Sequence, residues 1–286
     1  MKERLKPYIL LIPIMAVIIG IFAFGILMGF LQSIGIFKAA GLTEITLKYY
    51  REVLGSKSFI DSLEFSLYIA LVSSIISIVL GVLLAYSIYK SKIRTGMERI
   101  FNIPIVVPHM VSALLMYNIL AQSGTFPRIL HSFGLIKEQA SFPSLLYGKN
   151  GVGIILSYMW KEIPFIAMTT YAILGNISNK LSDVARNLGA NNRQVFRHIL
   201  LPLIGPTVFS SFIIIFAFSF GAYEVPLLLG PTSPQTLPIK AFIEYSNPSL
   251  INRPYAMVIN MILTFISIVL VWLYNKAFSL MTKYKW

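Results

Sequence analysis

Long apolar runs alternate with short polar segments along almost the whole chain. Six of these runs are long enough to cross about 30 Å of hydrocarbon as helices, which takes roughly twenty residues. Helices are the expected form because lipid offers the backbone no hydrogen-bond partner. The sequence therefore predicts an all-α membrane protein with six transmembrane helices, at Tyr8–Leu31, Leu63–Tyr89, Ile100–Ala121, Val152–Leu174, Thr207–Leu229 and Tyr255–Phe278.

Composition agrees with a membrane protein. Of the 286 residues, 56% are hydrophobic and 12% are charged, and the mean hydropathy is +0.75, whereas a soluble domain is about one-quarter charged. Cysteine is absent, which excludes a disulfide framework, a thiolate metal site and a cysteine nucleophile. The basic N-terminus leads into an apolar run that is longer than the core of a cleaved signal peptide, so we expect a retained first span.

The basic residues predict the orientation of the spans. The net charge is +13, and cytoplasmic segments of membrane proteins carry an excess of Lys and Arg. With the N-terminus inside, the inner segments hold 14 basic residues and the outer segments hold 9. Both termini are therefore predicted to be cytoplasmic, and the polar segment 176–206 is predicted to lie on the same side.

The segment 176–206 is the longest polar interruption between two spans in the second half of the chain. Leu181, Val184 and Leu188 recur at helical spacing, which predicts a short amphipathic helix. Asn176 or Ser178 is a candidate for its N-cap. Gly189 is suited to end the helix, because glycine accepts the left-handed conformation.

The spacing of this loop carries a resemblance to a known family. The sequence Asp183-Val184-Ala185, three residues, Gly189, nine residues, Ile199, one residue, Leu201-Pro202 resembles the cytoplasmic loop of binding-protein-dependent ABC importer permeases, which reads Glu-Ala-Ala, x3, Gly, x9, Ile-x-Leu-Pro. Asp stands for Glu and Val for the first Ala. The predicted ATPase-coupling residues are Leu181, Asp183, Val184, Ala185, Arg186, Leu188, Gly189, Ala190, Ile199, Leu201 and Pro202.

The resemblance implies a type I ABC importer permease fold, with a first helix and outer segment over residues 1–62 and a five-helix core over 63–286. It implies an ABC ATPase dimer, a second permease subunit, identical or homologous, and an extracytoplasmic solute-binding protein as partners, in the cytoplasmic (inner) membrane of a prokaryote. ATP and magnesium would bind the ATPase, with no cofactor or metal in this chain. Asp183 and Arg186 would make charged contacts, Ala185 would permit close approach and Gly189 would make the turn.

Charged side chains inside a predicted span mark a candidate solute path. Lys161 and Glu162 lie well inside the fourth span, where ionisable groups normally face a polar cavity or each other. They diverge by about 100° on a helix, so each needs another partner, and Glu224 is a candidate for Lys161. The predicted path residues are His109, Tyr158, Trp160, Lys161, Glu162, Tyr223 and Glu224. An ion pair that only fixes packing, and a packing role for His109, are the alternatives.

The remaining sequence motifs reduce the number of functions that this chain can have. The chain has no P-loop and no cluster with metal-ligand spacing, so ATP hydrolysis is expected on a separate subunit, and the basic residues show no nucleic-acid pattern. The run GAYEVPLLLG resembles permeases for polyamines, sulfate, iron(III) and phosphonate, and a polyamine or similar small ion is the favoured solute. A stand-alone secondary transporter or channel with a regulatory loop is the alternative. A membrane enzyme lacks a catalytic constellation.

Overall fold

The structure is a computed structural model that describes residues 2–91, 97–176 and 179–283. In these ranges the chain is helical, and its β pairing is limited to a single bridge between Phe37 and Leu42. The α-helices are α1 (Lys2–Ser33), α2 (Lys48–Gly55), α3 (Lys57–Lys90), α4 (Met97–Val106), α5 (His109–Leu120), α6 (Thr125–Ser132), α7 (Val152–Asn176), α8 (Asn179–Asn187), α9 (Asn192–Val195), α10 (Leu201–Gly221), α11 (Glu224–Leu229), α12 (Leu237–Tyr245) and α13 (Arg253–Lys283). The 3₁₀ helices Lys38–Ala40, Gln139–Ser141 and Leu250–Asn252 and the π-helix Phe196–Leu200 lie between them.

Four helices in the described part are long and apolar enough to cross a membrane. They are Leu10–Ser33, Lys57–Lys90, Asn192–Gly221 and Leu250–Lys276. The predicted fourth span forms as α7, which carries two charges and is not among these four. The all-α membrane class is confirmed, whereas the number of six crossings stays a prediction.

The predicted third span, Ile100–Ala121, is wrong as one continuous helix. It ends at Val106 and restarts at His109. Pro108 has an extended backbone with ψ 147°, it has no N–H to continue the ladder, and its ring disfavours a helical conformation at Val107. The structure therefore shows a complete break between two helices at this place.

The predicted fifth span, Thr207–Leu229, is also wrong in its bounds. Its helix α10 ends at Gly221, Ala222 is extended, and Glu224 opens the separate helix α11. Pro226 lies in the first turn of α11, where a backbone N–H has no intrahelical partner and a proline is tolerated. Glu224 therefore begins a new helix and does not continue the span.

The chain divides into two compact units, and the first contains Met1–Ile60 with Leu237–Phe265. Helix α2 is anchored in this unit through its buried apolar face, Tyr49 and Val53. The rings of Tyr49 and Tyr255 pack at right angles with their centroids 5.1 Å apart, and the Tyr255 hydroxyl donates to Glu52 at 2.5 Å. Leu54, on the same helix, is exposed.

The second unit contains Asp61–Thr236 with Ile266–Trp286, and small residues allow its helices to approach closely. Glycine, alanine and serine permit close contact of backbones inside a membrane bundle. On α3 a buried stripe of such residues recurs every three or four positions, at Ala70, Ser74, Ser77, Gly81 and Ala85.

Gly81 marks the tightest point of this stripe. A Cβ added there would lie 2.6 Å from the Ile166 Cβ and 3.0 Å from the Ile163 carbonyl oxygen. Neither atom is the end of a flexible side chain, so a larger residue forces α3 and α7 apart.

We expect Gly81→Ala to destabilise the protein by about 1–3 kcal/mol, the usual cost of overpacking a core. The measurement is the temperature at which the detergent-solubilised protein loses its monodisperse peak. Gly20→Ala is the matched control, because a Cβ at Gly20 meets nothing within 4 Å. An unchanged temperature for Gly81→Ala would show that this contact does not limit stability.

Candidate functional site

The predicted amphipathic helix of the polar loop forms as α8, and Gly189 ends it as expected. Gly189 has φ +90°, its N–H donates to the Arg186 carbonyl, and the Ala190 N–H donates to the Ala185 carbonyl, both at 2.9 Å. This pair of bonds is a Schellman motif, which favours glycine at the left-handed position. Of the two predicted N-cap candidates, Ser178 lies outside the described residues and Asn176 is the last residue of α7.

The chain after Gly189 is fixed by a second set of local bonds. Asn191 and Gln194 form a capping box at the start of α9, with bonds of 2.8 and 2.9 Å between each side chain and the other residue's N–H. A π-turn follows, in which the Leu201 N–H donates to the Phe196 carbonyl, and Pro202 lies in the first turn of α10. The loop is therefore joined to α10 through continuous helical structure.

The predicted coupling residues separate into two faces. One face packs inward, since Ala185, Ala190 and Ile199 lie against a buried cluster built from α3, α7, α9, the π-helix and α10. Leu201 and Pro202, at the start of α10, are exposed. The other face of α8 points to solvent, with Leu181 51%, Val184 56% and Leu188 84% exposed. The apolar side of the amphipathic helix is thus uncovered in this chain.

The charged pair of the loop lies on the exposed face as well. Asp183 and Arg186 form an ion pair of 3.3 Å one helical turn apart. Exposed ion pairs contribute little to stability. Both side chains can therefore leave this ion pair and bind charged groups of a partner at a small cost in free energy. Val184, which replaces the first alanine of the family pattern, faces outward and does not disturb the packing.

Inside the bundle, Glu162 is held by two serines. Its side chain is 5% exposed, and its carboxylate accepts from Ser77 Oγ at 2.8 Å and from Ser219 Oγ at 2.5 Å. Hydrogen bonds to a charged group are the strong ones, so the carboxylate links α3, α7 and α10. Neither serine was among the predicted site residues, although serines at helical spacing in an apolar span were a signal.

The predicted pairing of Lys161 with Glu224 is wrong. In the described part of the chain, the ammonium of Lys161 donates to the carbonyl oxygen of Val107 and forms no ion pair. Val107 lies at the break before Pro108, where carbonyls of the ended helix lack intrahelical donors. A cation is favourable at a helix C-terminus, so Lys161 stabilises the broken end of α4.

Three of the seven predicted path residues meet in one cavity. His109, Lys161 and Glu162 line a space of about 240 Å³, together with the apolar side chains of Ile105, Phe165, Ile214, Ile215 and Phe218. The His109 ring lies 4.3 Å from the Phe218 ring. Because Lys161 and Glu162 are engaged by other groups, the cavity offers mainly apolar walls and one imidazole.

The other four predicted path residues lie outside the lining of this cavity. Tyr158 is buried and meets the Phe218 ring at 6.4 Å, and its hydroxyl makes no hydrogen bond within the described residues. Trp160 packs at the margin of a neighbouring apolar cluster. Tyr223 and Glu224 lie where α10 gives way to α11. In the described residues, no group of three His, Cys, Asp or Glu side chains has the geometry to hold a metal ion.

These features define a multi-pass, all-α membrane protein with an exposed amphipathic helix in its polar loop and polar groups buried in its bundle. The profile of the binding-protein-dependent transport system inner membrane component family matches residues 77–280, more than half of the chain. The chain belongs to this family, as the resemblance of its loop predicted. It is a permease component of the ABC importer type, a membrane component of such a transport system.

Curated relatives include permeases for several small solutes. The chain is 31% identical over 182 residues to the ferric transport system permease protein FbpB of Actinobacillus pleuropneumoniae, which is 62% of this chain and 25% of that protein. It is 22% identical to the sulfate permease CysT of Salmonella typhimurium, covering 66% of this chain and 65% of CysT. It is 26% identical to the spermidine/putrescine permease PotC of Escherichia coli, covering 69% and 67%. The chain thus spans a quarter to two-thirds of these relatives.

Solved structures share the fold. A bacterial ABC transporter involved in alginate import matches with a TM-score of 0.79 and 20% identity, covering 97% of this chain and 96% of that chain. The MetNI methionine ABC transporter matches with a TM-score of 0.57 and 16% identity, covering 78% and 95%. Both likenesses show that the helices are arranged as in an ABC importer permease.

The two hydrogen bonds from Ser77 and Ser219 to Glu162, here called the Glu162 clamp, predict a non-additive pattern of stability. Ser77→Ala with Ser219→Ala leaves a buried carboxylate without donors, and each lost partner costs about 1–3 kcal/mol. Adding Glu162→Leu to that double variant removes the uncompensated charge, so we expect it to recover part of the lost thermal stability. The measurement is the unfolding temperature in detergent of the wild type, the double serine variant and the triple variant. Strictly additive losses across the three substitutions would contradict a shared role of these side chains.

Proposed function

We propose that this chain is the transmembrane permease subunit of an ATP-driven importer and that α8 is its docking element for the partner ATPase. The observation that carries the proposal is the uncovered apolar face of Leu181, Val184 and Leu188. Apolar side chains on an amphipathic helix are normally buried, and an exposed apolar patch rimmed by charges is typical of an interaction site. Asp183 and Arg186 supply that rim.

The loop is built to transmit a displacement from α8 into the bundle. Its inner face is fixed to the core by Ala185 and Ala190, and it continues through the capping box and the π-turn into α10. A push on α8 therefore reaches α10, and the Glu162 clamp links α10 to α3 and α7. Such a bundle has two states, whose equilibrium ATP biases from one side and the loaded solute receptor from the other.

The proposed assembly has the parts that the loop resemblance implies. An ABC ATPase dimer binds ATP and magnesium, a second permease subunit, identical or homologous, completes the path, and an extracytoplasmic solute-binding protein delivers cargo. The chain crosses the cytoplasmic (inner) membrane of a prokaryote six times with both termini in the cytoplasm, α4 and α5 together forming one crossing and α7 another. Residues 1–62 and 63–286 form the proposed accessory helix and permease core.

We infer that the solute is a polyamine or a similar small ion. Relatives named for spermidine/putrescine, sulfate and iron support this class of cargo. The cavity with His109, Lys161 and Glu162 borders the proposed path. Its charged groups are already satisfied by protein atoms, so we assign the choice of cargo to the solute-binding protein and passage to this subunit.

The docking proposal predicts that Val184→Asp with Leu188→Asp removes the ATPase from the purified complex. The expected loss of co-purified ATPase is at least about tenfold, because hot-spot residues contribute about 2 kcal/mol or more to an interface. Both side chains are exposed, so the thermal unfolding of the permease should not change. The measurement is the ratio of ATPase to permease after mild-detergent purification, together with ATP-dependent uptake.

Leu47→Asp with Leu54→Asp is the matched control, since both leucines are exposed and lie outside the loop. An unchanged ratio of ATPase to permease and unchanged uptake in the Val184/Leu188 variant would contradict the docking proposal. A protein that purifies alone and moves solute without ATP would instead be a stand-alone transporter or channel.

If Lys161 borders the solute path, its substitution changes the rate of uptake, and the sign of that change depends on the charge of the solute. Lys161→Gln removes a positive charge while keeping a donor for the Val107 carbonyl. In proteoliposomes that contain the whole transporter, we expect uptake of the delivered solute to rise if it is a cation such as spermidine and to fall if it is an anion such as sulfate, because the potential in the cavity becomes less positive. The control is Lys149→Gln, an exposed loop position. Unchanged uptake of the delivered solute would mean that Lys161 only fixes packing.

A further inference from the structure

A second cavity lies in the segment between α5 and α7 and has no part in the coupling loop or the proposed path. It has a volume of about 360 Å³, and its polar lining consists of Gln122, Ser123, Arg128, His131, Lys137 and Gln139. The lining contains one arginine, one lysine, an imidazole, two amides and a hydroxyl, and no carboxylate. Its chemistry is therefore that of a site for an anion.

Two glycine turns build this cavity. Gly124 makes the turn from α5 into α6, and a Cβ there would lie 2.7 Å from the carbonyl oxygens of Asn118 and Ile119. At the other end of α6, Gly134 has φ +70° and closes a Schellman motif, in which Leu135 N–H donates to the Leu130 carbonyl at 2.9 Å. The chain reverses there, which brings Lys137 back to line the same cavity as Arg128.

The positive charges of the cavity are not neutralised by the described part of the chain. The ion pairs found there join Lys48 to Glu52 and Asp183 to Arg186, so neither Arg128 nor Lys137 has an acidic partner. Glu138 follows Lys137 in the chain but does not line the cavity. Two cations held around one space repel each other, and a bound anion relieves that repulsion.

The opposite side of α6 is apolar and exposed. Phe126, Ile129 and Phe133 recur at helical spacing and are 44%, 45% and 76% exposed, whereas Arg128 and His131 lie on the other side of the helix wheel. A short amphipathic helix with aromatic residues on one face and basic residues on the other is suited to lie at the boundary of headgroups and acyl chains. In that position the basic cavity is at the depth of the lipid phosphates.

We propose that this cavity binds the phosphate of an anionic phospholipid headgroup while the exposed face of α6 inserts among the acyl chains. Arg128 is suited to hold two phosphate oxygens at once through its planar fork, and Lys137 adds a point charge. His131, Gln139 and Ser123 offer further donors. The combination of an anion cavity with an apolar face on one helix commits the site to a lipid, since a free anion leaves that face in water.

The test uses the whole transporter in nanodiscs of phosphatidylethanolamine and phosphatidylglycerol in equal amounts, with retained lipids counted by native mass spectrometry. Arg128→Gln with Lys137→Gln should weaken phosphatidylglycerol retention about 25-fold, since each basic residue near an anionic surface contributes about fivefold. Nanodiscs with phosphatidylcholine in place of phosphatidylglycerol should show no difference between the wild type and the variant. Thermal unfolding checks that the variant is folded.

The matched control is Lys38→Gln with Arg51→Gln, which removes one Lys and one Arg from exposed positions elsewhere, and it should retain phosphatidylglycerol as the wild type does. Equal retention by the Arg128/Lys137 variant overturns the proposal. Release of the lipid by inorganic phosphate shows a free-anion site and overturns the lipid assignment. A variant that keeps its lipid but loses a purified solute-binding protein shows a protein docking surface instead.

Discussion

A carboxylate without a counter-ion inside an apolar bundle is the constraint on which the second unit depends. Glu162 is almost fully buried, and in the described part of the chain no cation lies within ion-pair distance of it. Removing a charge from water is costly unless hydrogen bonds replace the lost hydration. Ser77 and Ser219 provide those bonds from two other helices, so one polar group joins three helices at a defined register.

The sequence predicted what is determined locally. The amphipathic pattern and the glycine of α8 depend on residues within one or two turns of each other, and both appear where they were expected. The partners of Lys161 and Glu162 depend on helices that are distant along the chain. Every residue has a carbonyl, so the Val107 oxygen carries no signal in the sequence. The two serines carry one, but it is shared by many serines in the same spans.

The helix breaks show a different limit. Hydropathy describes how far an apolar run extends, and it does not distinguish one helix from two helices joined at a proline. Pro104 lies inside α4 and is tolerated, whereas Pro108 ends that helix. At the break, the ammonium of Lys161 donates to the Val107 carbonyl beside Pro108. Hydropathy carries no information about such a contact with another helix.

The order of synthesis gives the contacts of α7 a further meaning. A segment with Lys and Glu side by side enters the hydrocarbon at a cost of roughly 2.5–3.5 kcal/mol for each charge at its centre. Ser77 and Val107 precede α7 in the chain and are already made when α7 emerges from the ribosome, whereas Ser219 is made later. Lys161 and one carboxylate oxygen of Glu162 can therefore form their hydrogen bonds as α7 inserts. The second carboxylate oxygen gains its donor only after α10, which carries Ser219, has been made.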